Sequence, residues 1–311
     1  MKIKAAIIIL FLLQLTSIGA EFGKLLTRVT ADGVLITEGD AKVLFYQRAT
    51  KSKGGKHARA NYVHPLYDLG GNVLTEDFPA DHLHHRGIFW AWHQLWVDDK
   101  MIGDGWIAKD MRWDVHGLQT SRDKDGSVRI QVAVDWKSPQ WADGKKALVK
   151  EATSIRVYPR EGNLRKLDFN IRLKAMEPNT RLGGADNVKG YGGFSTRIKL
   201  PKGIGFTGEK GEVTPQRTPV VAGPWMDMTA RFDKSGMSGL TILCHPKSAG
   251  YPQPWILRNK ASMQNPVWPG QHAKPLRTDK PLTLRYRLIL HKGTATAQTI
   301  GRWHEAYSAT P

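Results

Sequence analysis

The chain has 311 residues, a formal net charge of +18 from 46 Lys and Arg against 28 Asp and Glu, and one cysteine. A lone cysteine excludes an intramolecular disulfide, so the fold rests on its own apolar core, and a chain of this size buries roughly 75% of its unfolded surface as one large domain. The basic residues are scattered rather than blocked, and a field of this sign steers polyanions, which outside the cytoplasm are expected to be acidic polysaccharides, lipopolysaccharide or anionic surfaces ahead of nucleic acid.

At the N-terminus, Lys2 and Lys4 precede an apolar run over residues 5–13, and small residues follow at Ser17, Gly19 and Ala20. This predicts a secretory signal peptide over residues 1–20 and a periplasmic or extracellular protein. Its removal leaves 311 − 20 = 291 residues and a charge of 18 − 2 = +16. The run is shorter than the roughly 20 apolar residues that cross a bilayer, and no later stretch is long or apolar enough. No linker or internal repeat divides residues 21–311, which are expected to form a single β-sandwich domain.

Short strands are predicted at residues 33–37, 42–46 and 87–92. Beyond them, period-two alternation dominates. Val128, Ile130, Val132, Val134 and Trp136 share one face, against Arg129, Gln131 and Asp135 on the other. Leu167, Phe169, Ile171, Leu173 and Ala175 repeat the pattern, as do Leu282, Leu284, Tyr286, Leu288 and Leu290. Such strands have one buried and one wet face, as in antiparallel sheets. Further strands are expected at 153–158, 194–200 and 240–244, with turns at Asp125-Gly126 and Glu161-Gly162-Asn163. Only residues 294–307 read as helix, with Ala297, Ile300, Trp303 or His304, and Tyr307 at helical spacing. The predicted fold is all-β: an antiparallel two-sheet β-sandwich with a short C-terminal helix.

Residues 61–96 are the richest in chemistry, holding five histidines, Glu76, Asp77, Asp81, Arg86 and three tryptophans in 36 residues. Burying so many titratable groups unpaired is costly. Pro79 and Gly87 bracket the Asp81-His82-Leu83-His84-His85-Arg86 cluster, which reads as a loop entering the strand at 88–92. If that entry is extended, His82, His84 and Arg86 point one way and His85 the other. Three readings compete: satisfied polar histidines, a divalent-metal site on His82 and His84, and metal-free acid-base or anion-binding use.

Tyr62-Val63-His64-Pro65-Leu66-Tyr67, the Asp81-His82-x-His84-His85-Arg86-Gly87 core with Trp90, Cys244-His245-Pro246, Trp255-x-x-Arg258, Asn265-Pro266, and Leu284-Arg285-Tyr286-Arg287 with Lys292-Gly293 resemble the bacterial secreted family labelled methane oxygenase PmoA-like. The resemblance covers most of the chain and lies in the order and spacing of several motifs. It implies a secreted β-sandwich similar in outline to galactose-mutarotase-like folds, from bacteria that digest polysaccharides, with a more distant likeness to ulvan-oligosaccharide dehydratase. Leu83 departs from the family's Asp-His-Pro-His-His pattern, which implies a less rigid loop.

The expected function is that of a carbohydrate lyase, dehydratase or isomerase acting on acidic, uronate-containing oligosaccharides. Such chemistry removes a weakly acidic proton beside a carboxylate and needs a base plus cationic stabilisation. Candidate acid-base groups are His84, His85, His245 and Tyr191, the last in a glycine-rich segment. Candidate substrate contacts are Arg86 and Arg258, Trp90 and Trp255 as sugar platforms, and Asp227 and Glu76 as partners that orient an imidazole. A non-catalytic glycan-binding protein and a metal-dependent oxygenase are the alternatives. Cys244 reads as a packed thiol.

Overall fold

The structure, a computed structural model, describes residues 23–233 and 236–311. The expected signal peptide at residues 1–20 lies outside the described residues. Among those described, no helix is long and apolar enough to cross a membrane.

The clean alternation in the sequence produces the longest strands. Val128–Lys137, Val149–Val157, Leu164–Ala175 and Leu282–Lys292 pair antiparallel as successive neighbours. They sit in a nine-stranded sheet that Arg112–Arg122 opens on one side, and Gly236–Cys244, Trp225–Asp233, Gly205–Gly208 and Gly211–Glu212 extend on the other. A six-stranded sheet runs Leu25–Val29, Gly33–Glu38, Ala41–Gln47, Tyr62–Leu66, Ile88–Ala91, Gly193–Thr196. Val34, Ile36, Leu44, Ile88, Trp90 and Phe194 from this sheet join Ile155, Phe169, Leu284 and Tyr286 from the larger one in a single apolar core. Phe194 stacks on Tyr286 with ring centroids 4.4 Å apart. The fold is therefore the expected antiparallel sandwich.

One carboxylate crosses the core. Glu151 accepts from Asn61, Trp90, Thr153 and Trp136, and burial raises its pKa despite these bonds. Trp90 therefore faces inward and serves as a core donor, which corrects its expected place as a sugar platform.

The helix Ala297–Ser308 begins three residues later than expected, because Thr296 accepts a bond from the Thr299 N–H and caps it. Its Ile300 and Tyr307 pack on Trp225, Leu243 and Ile289, covering part of the larger sheet's outer face. Two departures have local causes. Arg112–Arg122 carries a bulge between His116 and Gln119, which breaks the period-two pattern. The strand expected at 194–200 stops at Thr196, and the next residue, Arg197, is drawn off into a network of carboxylates.

Candidate active site

Alternate residues of Ile88–Ala91 face opposite ways, so Phe89 and Ala91 project from the outer face of the six-stranded sheet. There they join Tyr62 in a second apolar cluster with Trp106, Ile256, Met263 and Val267. Loops built over this cluster enclose a cleft of about 450 Å³, lined by His82, His84, His85, His93, Trp106, Lys189, Tyr191 and Arg258 among others.

The histidine loop is not extended as expected. The His82 N–H bonds the Pro79 carbonyl and the His85 N–H bonds the His82 carbonyl, giving two successive tight turns. A three-residue return of this kind stacks the rings of His82 and His85, with centroids 4.6 Å apart and planes 3° from parallel. His84 meets His85 edge to face at 4.7 Å. The three imidazoles thus gather on one side, while Arg86 turns away: fully buried, it pairs with Asp77 at 3.1 Å and covers the Phe78 ring. Arg86 is a structural cation behind the site, not a substrate contact.

Arg197 holds the loop in place. It grips Asp81 with two nitrogens at 2.8 and 2.6 Å, bonds Glu76 at 2.7 Å, and approaches His85 Nδ1 at 3.4 Å. Asp81 in turn orients His82 at 2.7 Å. Burial pushes the Asp81 carboxyl up, yet bonds from Arg197 and His82 outweigh this and hold it well below the usual range. Glu76, nominated to orient an imidazole, instead anchors Arg197. Burial and the neighbouring imidazoles push His84 down to about 4 and His85 down to about 2, so both are neutral near pH 7.

On the facing wall, His93 Nδ1 bonds Asp104 Oδ2 at 2.8 Å, while Asp104 Oδ1 accepts the Trp106 and Ile107 N–H groups. With Asp104 Oδ2 as the acceptor, Nδ1 is the nitrogen that carries the proton and the lone pair lies on Nε2. That Nε2 is buried and has no hydrogen-bond partner among the described residues. The His93 ring stacks on Trp106 at 5.6 Å and meets the Tyr191 ring at 5.1 Å. Burial and the Asp104 charge raise the Tyr191 phenol. The glycine-rich segment around Tyr191 is pinned by Asn265, whose side chain exchanges bonds with the Gly192 backbone. A Cβ on Gly184 would stand 2.1 Å from the Gly190 carbonyl, so glycine is required where the loop folds back on itself.

The charge around the cleft is unbalanced. Arg258 donates to the carbonyls of Leu257, Gln216 and Arg217. Arg59 is 1% exposed and donates to the Gly105 and Trp106 carbonyls. Among the described residues no carboxylate forms an ion pair with either. Burial, and next the Arg86 charge, lower Arg59 to about 9. The nearby carboxylates Asp77, Asp81 and Asp104 are each engaged by Arg86, Arg197 and His93 respectively.

Other nominated residues lie elsewhere. His245 packs against Tyr307 of the helix and bonds the Thr310 carbonyl. Asp227 does orient an imidazole, but it is His291 at 2.9 Å, buried beneath the helix. Trp255 is buried, with its N–H on the Gly223 carbonyl, and Cys244 is a packed thiol as expected. Among the described residues no three His, Cys, Asp or Glu side chains are arranged to hold a metal ion. The rings of His82 and His84, the pair expected to hold a divalent metal, meet edge to face at 5.6 Å. His93, Asp104, Arg59, Lys189 and Arg197 were not nominated from sequence. His93 had a signal, since it lies in the histidine-rich segment; Arg197 had none, because its carboxylates are more than 100 positions away.

With this geometry established, comparison with known families gives a match to DUF6807, a family of unknown function, over residues 33–304. The chain belongs to that family. No curated protein matches it. Membership is consistent with one fold spanning nearly the whole chain and assigns no activity.

Proposed function

We propose that this DUF6807 protein is a secreted acid-base enzyme that eliminates across a carbon-carbon bond beside the carboxylate of a uronate-containing oligosaccharide. The observation that carries the reading is one cleft joining neutral imidazoles to Lys189 and Arg258, cations that no carboxylate ion-pairs with among the described residues. A guanidinium without a counter-charge is costly to desolvate, and an anionic ligand at Lys189 and Arg258, with the buried Arg59 charge behind the Trp106 backbone, offsets that cost. The motif resemblance to secreted β-sandwich proteins of polysaccharide-degrading bacteria points the same way.

In the proposed step His93 Nε2 accepts the proton on the carbon next to the carboxylate. The released electron pair forms a double bond to the adjacent carbon, whose oxygen substituent leaves with the Tyr191 phenolic proton. Proton return from imidazolium to phenolate restores both groups. Asp104 holds the base in the required tautomer, and the cations stabilise charge that builds on the carboxylate. The glycan-binding alternative is less well supported, since Trp90 and Trp255 are buried and offer no flat face to a sugar.

Incubation with a panel of uronate oligosaccharides, following ultraviolet absorbance and product mass, tests the proposal. New conjugated unsaturation with loss of one water marks a dehydratase, and unsaturation with chain cleavage marks a lyase. Binding of those oligosaccharides without any product defeats the enzymatic reading.

A further inference from the structure

The outer face of the larger sheet lies on the opposite side of the sandwich from the cleft. The helix covers its Trp225, Leu243 and Ile289 region, while Lys150, Ala152, Asn170, Arg172 and Lys174 on neighbouring strands remain exposed. Lys150 stands directly opposite Lys174. Two residues along, Ala152 faces Arg172, and two further, Ser154 and Asn170 align with Arg285. Successive rows on one face are roughly 6.8 Å apart, so the cations form a file along Leu164–Ala175.

Two features set this file apart from an ordinary solvated face. Like charges directly opposite on a ladder are destabilising, yet Lys150 and Lys174 share one rung, and among the described residues none of Lys150, Arg172, Lys174 and Arg285 forms an ion pair with a carboxylate. The file also ends in a hollow of about 280 Å³ lined by Arg129, Ser154, Arg156, Tyr158, Asn170 and Arg285, among others. Asp168, which also lines the hollow, is held by Arg287 at 2.6 Å, and Asp123, outside the lining, by Arg129 and Arg156 at 2.7 and 2.9 Å. Asp135, opposite Lys150, borders the far end and lies 3.4 Å from His116.

We propose that this face is a second glycan surface, which lays a linear carboxylated polysaccharide along Leu164–Ala175. It rests on the reading that the protein handles acidic glycans, and it tethers the enzyme to polymer while the cleft takes short segments. Bivalent engagement of this kind strengthens polymer binding without a new contact in the cleft.

The test compares the full-length protein, the triple variant K150Q/R172Q/K174Q, a control that removes three remote cations (K42Q/K202Q/K280Q), and His93→Ala in the cleft. Affinity for polygalacturonate is measured at several salt concentrations, alongside turnover of a galacturonate trisaccharide. The face variant is expected to lose at least about tenfold in polymer affinity, with a shallower salt dependence and unchanged trisaccharide turnover. His93→Ala is expected to keep polymer affinity. Equal loss in the control would reduce the effect to net charge and overturn the proposal, as would undiminished polymer binding by the face variant. Tighter binding to duplex DNA or anionic vesicles than to polygalacturonate would overturn the choice of polysaccharide. Absence of turnover in every form, with polymer affinity still lost only in the face variant, would count against the cleft reading and leave the surface standing.

Discussion

At the scale of single residues, the cleft contains four imidazoles whose surroundings separate their uses. His85 is 2% exposed, faces a guanidinium through Nδ1 and is pushed down to about 2, which makes it a very weak base. His82 is engaged by Asp81 at the rim. Among these four, His93 alone combines a carboxylate behind Nδ1 with a buried, unpartnered Nε2 on a residue that lines the cleft. His93→Ala is therefore expected to lower turnover of the uronate substrate by about 100- to 10,000-fold, the usual worth of a positioned general base. Asp104→Asn should keep substrate affinity but lower kcat and alter its pH profile, because an amide no longer fixes the tautomer. Equal turnover by His93→Ala and the parent, with both folded by circular dichroism, would move the base to His84.

At the scale of elements, the histidine loop depends on its junction with Ile88–Ala91. Gly87 has φ +29°, and a Cβ there would stand 2.1 Å from the Val63 carbonyl and 2.8 Å from His64 Cβ. Gly87→Ala must displace a core strand, so a loss of about 2 to 4 kcal/mol is expected in urea unfolding, with activity falling as the loop shifts. Strands such as Leu164–Ala175 and Leu282–Lys292 were legible because one apolar face imposes a period of two over about ten positions. The same signal fails where a bulge interrupts it, as in Arg112–Arg122. The site was legible only in part. Gathering of His82, His84 and His85 with Tyr191 and Arg258 followed from their residue types, but extended alternation misplaced Arg86, since the chain turns twice before the strand. Trp90, Trp255, Asp227 and His245 carry side chains that suit either a core or a site. Their partners, Glu151, the Gly223 carbonyl, His291 and Tyr307, are distant in sequence and decided the matter.

For the whole molecule, the same imidazoles couple folding to pH. The folded pKa values of His84 and His85, about 4 and about 2, lie below the ordinary imidazole value of about 6.5. The unfolded chain then binds more protons than the folded one between those values, so stability rises with pH across the interval. The contribution is fully present above about pH 6.5 and is lost as pH falls through about 4 for His84 and further, toward about 2, for His85. With 46 Lys and Arg against 28 Asp and Glu, protonating carboxylates over the same range adds self-repulsion to that loss. Tm is therefore expected to decline steadily from about pH 6.5 to about pH 4. A His84→Gln/His85→Gln variant should show a flatter decline, since it removes two of the groups that must charge on unfolding. High salt screens the general repulsion but leaves the proton linkage of buried imidazoles in place. A decline that vanishes in 1 M NaCl would therefore assign the acid lability to surface charge and show that the cleft histidines are not held neutral.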